Sequence, residues 1–320
     1  MTTMNRRYWL KTAVAAVASV PGAYRLATAA DGRPRRKFTM SLSCGAIGVS
    51  ADPRGALRLA HEHGFESVEP SAEFLAKLSR RDLDDVLADL KAKNLVWGAA
   101  GLPVDFRRDE ATFRAGLARL PELASGLARA GVTRVGTWIS PCHASLTYTA
   151  NFRQHARRLR ETAKVLDDHG LRLGLEYVGP KTSWSAQQFP FIHTMAEMKD
   201  LIAEMGCRNV GFVLDSWHWY NARETEADLL SLANRDVVAC DLNDAPKDVP
   251  LDQQQDGKRE LPAATGVIDL ATFLGALVKI GYDGPIRAEP FNKALRSLPA
   301  PQALAATAAA MKKAFALVER

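Results

Sequence analysis

The chain has 320 residues, 47% of them hydrophobic, and a formal charge of +6. That length and apolar content suffice for one large core and exclude a disordered or collagen-like chain. Arg6, Arg7, Lys11 and Arg25 supply four positive charges before Ala29, so a chain starting at Ala30 carries only +2 and gives no electrostatic case for nucleic acid.

Asn5-Arg6-Arg7-Tyr8-Trp9-Leu10-Lys11 sets paired arginines ahead of an Ala-rich run from Thr12 to Val20. Pro21-Gly22 and the small residues Ala27-Thr28-Ala29 follow. The pattern resembles a twin-arginine export signal with a cleavage site. Residues 1–29 are therefore read as a signal, 30–37 as a basic linker, and 38–320 as a single domain of an exported, periplasmic protein. The alternative is a plain basic tail. The apolar run is shorter than the about 20 residues a membrane-spanning helix needs, so no membrane association is expected after cleavage.

From residue 38 onward, short apolar strands alternate with amphipathic helices. Strands are predicted at 38–44, 65–69, 95–100, 133–139, 171–177, 210–215, 237–243 and 285–289. Helices are predicted at 53–63, 81–93, 110–130, 151–169, 194–205, 225–232, 270–280 and 301–318. Gly64, Gly131, Gly170, Gly206 and Gly281 fall between a helix and the next strand, as helix C-caps do. Eight such parallel units predict an α/β fold, a (β/α)8 TIM barrel.

Four strands end in an acid: Glu176 in LRLGLEYV, Asp215 in VGFVLDSWH, Asp241 in VVACDLND and Glu289 in GPIRAEPF. Residues two apart on a strand share a face, so Gly174 lies inward with Glu176, Gly211 and Val213 with Asp215, Ala239 and Asn243 with Asp241, and Arg287 with Glu289. One such acid is readily explained as a helix N-cap or a strand-end ion pair. Four from successive strands converge on the barrel mouth, and like charges so placed require a cation, which predicts a divalent metal site. His218, three residues after Asp215, is a candidate for a substrate donor or further ligand, with a surface histidine as the alternative.

Two long loops follow strands on the same face, at 178–193 and 244–267, and loops of that length are commonly functional lids. Lys181 and Arg259 are their candidate substrate-binding cations, or else solvated charges. Trp138 and His143, after the fourth strand, are candidates for a wall of the pocket, with ordinary core as the alternative for Trp138. Cys44, Cys142, Cys207 and Cys240 show no metal-type spacing and are read as free thiols, a disulfide being the alternative.

The segments GLEYVGPKT, VGFVLDSWHWY, DLNDAP, RELPAATGVIDL and YDGPIRAEPFN resemble the sugar phosphate isomerase/epimerase family, the xylose isomerase-like barrels. The resemblance runs from about Phe38 to the C-terminus. It implies a manganese-type ion, with Mg2+, Co2+ or Zn2+ as alternatives, held by Glu, Asp, His and Glu from four strands. Glu176, Asp215 and Glu289 match three of those ligands, and Asp241 stands where the histidine is usual. The resemblance further implies that Glu176 and Glu289 work as an acid/base pair on a sugar or keto-sugar. With seven histidines in the chain, the histidine-rich zinc centre of the DNA-repair members is not built. The resulting expectation is a metal-dependent isomerase or epimerase forming an enediolate. A lyase or dehydratase on a keto-sugar, 3-keto-glycoside or cyclitol, and a non-catalytic sugar-binding barrel, are the alternatives. A homo-oligomer is left open.

Overall fold

The structure, a computed structural model, describes residues 35–319. The twin-arginine segment and residues 30–34 of the linker lie outside the described residues. Nine strand segments form one parallel sheet: Thr39–Leu42, Ser67–Val68, Val96–Trp97, Ala100–Gly101, Arg134–Trp138, Arg172–Glu176, Val210–Asp215, Val237–Leu242 and Pro285–Ala288. The first strand pairs with the last, so the sheet curls round on itself.

The count of nine arises because the expected third strand is broken. Val96–Trp97 pairs with Ser67–Val68, whereas Ala100–Gly101 pairs with Arg134–Trp138. Gly98 lies between the two pieces, and a Cβ there would meet Ser41 Oγ at 2.7 Å. The break lets one segment of chain serve both edges, and the architecture is the (β/α)8 barrel that the alternation predicts.

The eight expected helices are present, with ends shifted by at most a few residues. Their starts are chemically marked. Asp52, Ser79, Asp109, Thr147, Thr194 and Asp269 each accept a hydrogen bond from a first-turn N–H, a cap worth about 1 kcal/mol apiece. The five glycines expected at helix ends all have φ between 63° and 79°. Sequence periodicity missed the short helices that decorate the loops, among them Ser216–Asn221, which carries His218. The four cysteines are free.

Inside the barrel, Gly136, Gly174 and Gly211 lie side by side in register on three strands. A Cβ on Gly136 or Gly174 would press on Val213 Cγ2 at 3.0 or 2.8 Å. Val213, Ala239 and Gly136 thereby form an apolar floor, and the polar groups sit above it. The two long loops lie over the C-terminal face and touch each other: Thr182 Oγ1 donates to the Gln254 carbonyl at 2.6 Å, and Lys181 Nζ pairs with Asp252 at 3.0 Å.

A Cβ on Gly211 would lie 2.4 Å from the Asp236 carbonyl oxygen, a backbone atom that cannot rotate away. Gly211→Ala is therefore expected to lower unfolding free energy by about 1–3 kcal/mol. Gly275→Ala, in open space within the helix Leu270–Lys279, is expected to raise it by about 0.5–1 kcal/mol. Denaturant midpoints of the two variants check both signs.

Candidate active site

The four strand-end acids converge. Asp241 lies directly opposite Asp215 on one neighbouring strand and Arg287 on the other. Asp215 and Asp241 are each 1% exposed and Glu176 7%. Glu176, Asp241 and Glu289 border a cavity of about 610 Å³ at the C-terminal mouth, whose walls include Glu69, Arg107, Trp138, His218, Arg259 and Arg287.

Asp215 is saturated with donors. Its Oδ1 accepts the Trp217 N–H at 2.8 Å, which caps the short helix, and Asn243 Nδ2 reaches both of its oxygens at 3.0 and 3.2 Å. Arg259 Nη1 reaches Oδ2 at 2.8 Å. Burial pushes its pKa up to about 7, against the pull of Arg259. Asp241 receives a two-pronged contact from Arg287, Nε to Oδ1 at 2.6 Å and Nη2 to Oδ2 at 3.1 Å. Glu289 touches both guanidinium groups, Arg287 Nη2 at 3.1 Å and Arg259 Nη1 at 3.3 Å.

Glu176 is different. Its Oε1 is buried and has no hydrogen-bond partner. Burial, then the charges of Glu289, Asp241 and Asp215, hold its carboxyl well above the usual range, with Arg259 opposing. His218 Nε2 lies 3.7 Å from Oε1 and equally 3.7 Å from Asp215 Oδ2.

Both ring nitrogens of His218 face donors. Nδ1 lies 3.2 Å from the Gly179 N–H and Nε2 lies 3.4 Å from Arg259 Nη2, so the two compete for the one acceptor nitrogen of the neutral ring. Burial, followed by Arg259, holds the ring neutral by lowering its pKa to about 3.

The expectation that only a bound ion could gather these acids is corrected by the arginines. Arg259, expected as a loop cation facing substrate oxygens, is 2% exposed and engages Asp215, Asp256 and Glu289. Burial opposes its charge, but those carboxylates hold its pKa above its ordinary value. Arg287, placed inward by parity but given no role, compensates Asp241 and Glu289. Lys181 is half-exposed and paired with Asp252, and His143 folds its Nδ1 back onto the N–H groups of Ser145 and Leu146. Neither lines the cavity, whereas Trp138 does and is 47% exposed. Asn243, Arg107 and Glu69 were missed. Asn243 at least had a signal, since it shares the inward face of Asp241; its amide oxygen accepts the Glu289 N–H at 3.1 Å.

Arg259 is shared with Asp256 and Arg287 with Glu69, so the two guanidinium groups leave the carboxylates incompletely compensated, which suits a divalent ion. Oxygens of Glu176, Asp241 and Glu289 lie within 4.8 Å of one another, as do ligand atoms of Glu176, Asp215 and His218. With Arg259 Nη2 beside His218 Nε2 and Asp215 saturated, the first set fits an ion better.

Two outcomes follow for metal uptake. Arg287 competes with an ion for Asp241 and Glu289, and a unit charge about 4 Å away is worth about 4 kcal/mol at an effective dielectric of 20. Arg287→Met is expected to tighten Mn2+ binding at least tenfold by calorimetry. Ionised carboxylates bind the ion, whereas burial favours protonated Glu176, Glu289 and Asp215. Binding is thus expected to release protons, to be weak at pH 5 and to strengthen as pH rises through 7; calorimetry in two buffers of different ionisation enthalpy measures the release.

Comparison with known proteins places this geometry. Inosose isomerase of Bacillus velezensis is 24% identical over 242 residues, 74% of this chain and 82% of that protein. The 3-dehydroshikimate dehydratase of Pseudomonas aeruginosa is 30% identical over 145 residues, 45% of this chain but 21% of the dehydratase. Among solved structures, a xylose isomerase domain protein of Alicyclobacillus acidocaldarius superposes with a TM-score of 0.78 at 31% identity, covering 88% of this chain and 100% of that one. The IolI protein with a bound zinc atom gives 0.72 at 20% identity, covering 88% and 99%. Residues 57–314 match the family described as xylose isomerase-like TIM barrel, and the chain belongs to that family.

Proposed function

We propose that the protein is a divalent-metal-dependent isomerase or epimerase of a small polyhydroxylated ketone, a sugar or cyclitol, acting by proton abstraction beside the carbonyl. One observation carries the reading: the buried, unpartnered Oε1 of Glu176, at the mouth of a cavity and above an apolar floor. A carboxylate whose proton affinity is raised by burial is a base suited to neutral pH. Glu176, Asp241 and Glu289 would hold the ion, which when bound polarises a carbonyl oxygen as a Lewis acid. An all-oxygen donor set favours a hard ion such as Mn2+ or Mg2+.

Glu176 removes the proton from carbon. Glu289, three strands away across the mouth, holds the second proton position. Return of a proton to the opposite face of the same carbon inverts it, and return to the neighbouring carbon moves the carbonyl. His218 holds a substrate oxygen, its ring staying neutral because it gains a second proton only near pH 3. The inosose isomerase relative supports this reading.

The dehydratase relative favours a second reading, in which the same abstraction is followed by loss of a β-hydroxyl as water. NMR in D2O separates the two. Deuterium entering a C–H of a ketose or inosose marks isomerase chemistry, and water loss with a new double bond marks the dehydratase. Absence of both, with sugar bound, marks a binding barrel. Glu176→Gln and Glu289→Gln are each expected to slow exchange by about 10²–10⁴-fold with little change in melting temperature. Near wild-type exchange in either variant removes that residue from the mechanism.

A further inference from the structure

Three arginines line the cavity, and they are not equivalent. Arg259 and Arg287 are each answered by carboxylates within 3.3 Å. Arg107 comes from the loop after the broken third strand and is held mainly by neutral groups. Its Nε and Nη2 both donate to the Trp138 carbonyl, at 3.1 and 2.7 Å, and Nη2 also donates to Thr137 Oγ1 at 2.7 Å. The guanidinium lies 4.3 Å from the Trp138 ring centroid and 4.4 Å from that of Phe106. These contacts fix its plane and position.

Its charge is answered only weakly, by one partly exposed carboxylate. Among the described residues Nη1 makes no hydrogen bond, and the nearest carboxylate oxygen, on the 43%-exposed Asp105, is 3.6 Å away. That carboxylate is also turned towards the Arg107 backbone N–H. Burial lowers the Arg107 pKa with Asp105 only partly opposing it, whereas at Arg259 and Arg287 the neighbouring carboxylates outweigh burial. A cation that only pinned the loop to Trp138 would not need a free, partly desolvated donor on a cavity wall.

We propose that Arg107 anchors a carboxylate of the substrate, so that the cavity takes an acidic polyhydroxylated compound in preference to its neutral parent. The inference rests on reading this cavity as the substrate site. A guanidinium edge offers a carboxylate charge-assisted hydrogen bonds of fixed direction. A phosphate dianion would be opposed by Glu69, Glu176, Asp241, Asp256 and Glu289, which line the same cavity. Acid and carbonyl ends of the ligand would thus be read at different places, Arg107 for the first and Glu176 with His218 for the second.

Calorimetry of the whole protein in Mn2+ tests this with matched pairs: D-glucuronate against D-glucose, D-galacturonate against D-galactose, and quinate against myo-inositol. At least one acid is expected to bind ten times more tightly than its parent. Arg107→Met should erase the preference and Arg107→Lys should restore part of it, both read as the acid-to-neutral affinity ratio within each variant. No acid preference in any pair, or one that survives Arg107→Met, overturns the proposal. Tighter binding of D-glucose 6-phosphate than of every carboxylate overturns the carboxylate assignment. An acid preference that persists where no C–H exchange occurs refutes the reaction and leaves the anchor standing. Exchange with no preference does the reverse.

Discussion

Four carboxylates and two guanidinium groups share the mouth of this barrel, and their mutual compensation constrains everything around them. An unpaired buried charge costs several kcal/mol, so each acid needs a cation or a proton. Arg287 arises from the same sheet as its partners and is set in place by strand register. Arg259 does not: it sits in the long loop after the seventh barrel unit, yet its guanidinium is the one that answers Asp215. The loop must therefore be seated for the strand ends below it to hold their charge. Scaffold and cover are one electrostatic unit, and Glu176, at its centre, is the acid neither arginine contacts.

The histidine adds direction to this arrangement. Gly179 approaches the Ser216–Asn221 helix so closely that a Cβ would meet the His218 carbonyl oxygen at 2.5 Å. That closeness brings its N–H to Nδ1 and leaves Nε2 facing the acids and Arg259. A glycine on one loop thus orients the ring of a residue 39 positions away. The ring stays neutral over the whole physiological range, so its contribution is an oriented dipole and not a titrating charge.

Much of this was legible in the chain. Alternating apolar strands and capped helices led to the barrel, and inward parity brought Glu176, Asp215, Asp241 and Glu289 to one place. The arginines were read less well, for physical reasons. Arg287 was seen to face inward, but its pairing with Asp241 depends on the register between two strands, which a linear pattern does not contain. Arg259 lies in a polar loop and reads as solvated; its burial depends on how 24 residues of irregular chain fold back, 244–267. Arg107 follows a strand that breaks at Gly98, and the break moves the loop onto the neighbouring unit. The Ser216–Asn221 helix was hidden because its start is capped by Asp215, a residue already claimed as a ligand.

The fastening between the two loops has a consequence for solution behaviour. Asp252 is shared by Lys181 and Arg223, both roughly half or more exposed, and such surface pairs weaken as ionic strength rises. The neutral tie from Thr182 to the backbone of Gln254, a residue whose own side chain is fully enclosed and hydrogen-bonded to Val249, is indifferent to salt. Brine would strip the outer clasp and leave the inner one, so the roof over the cavity loosens at its rim while its keystone stays in place.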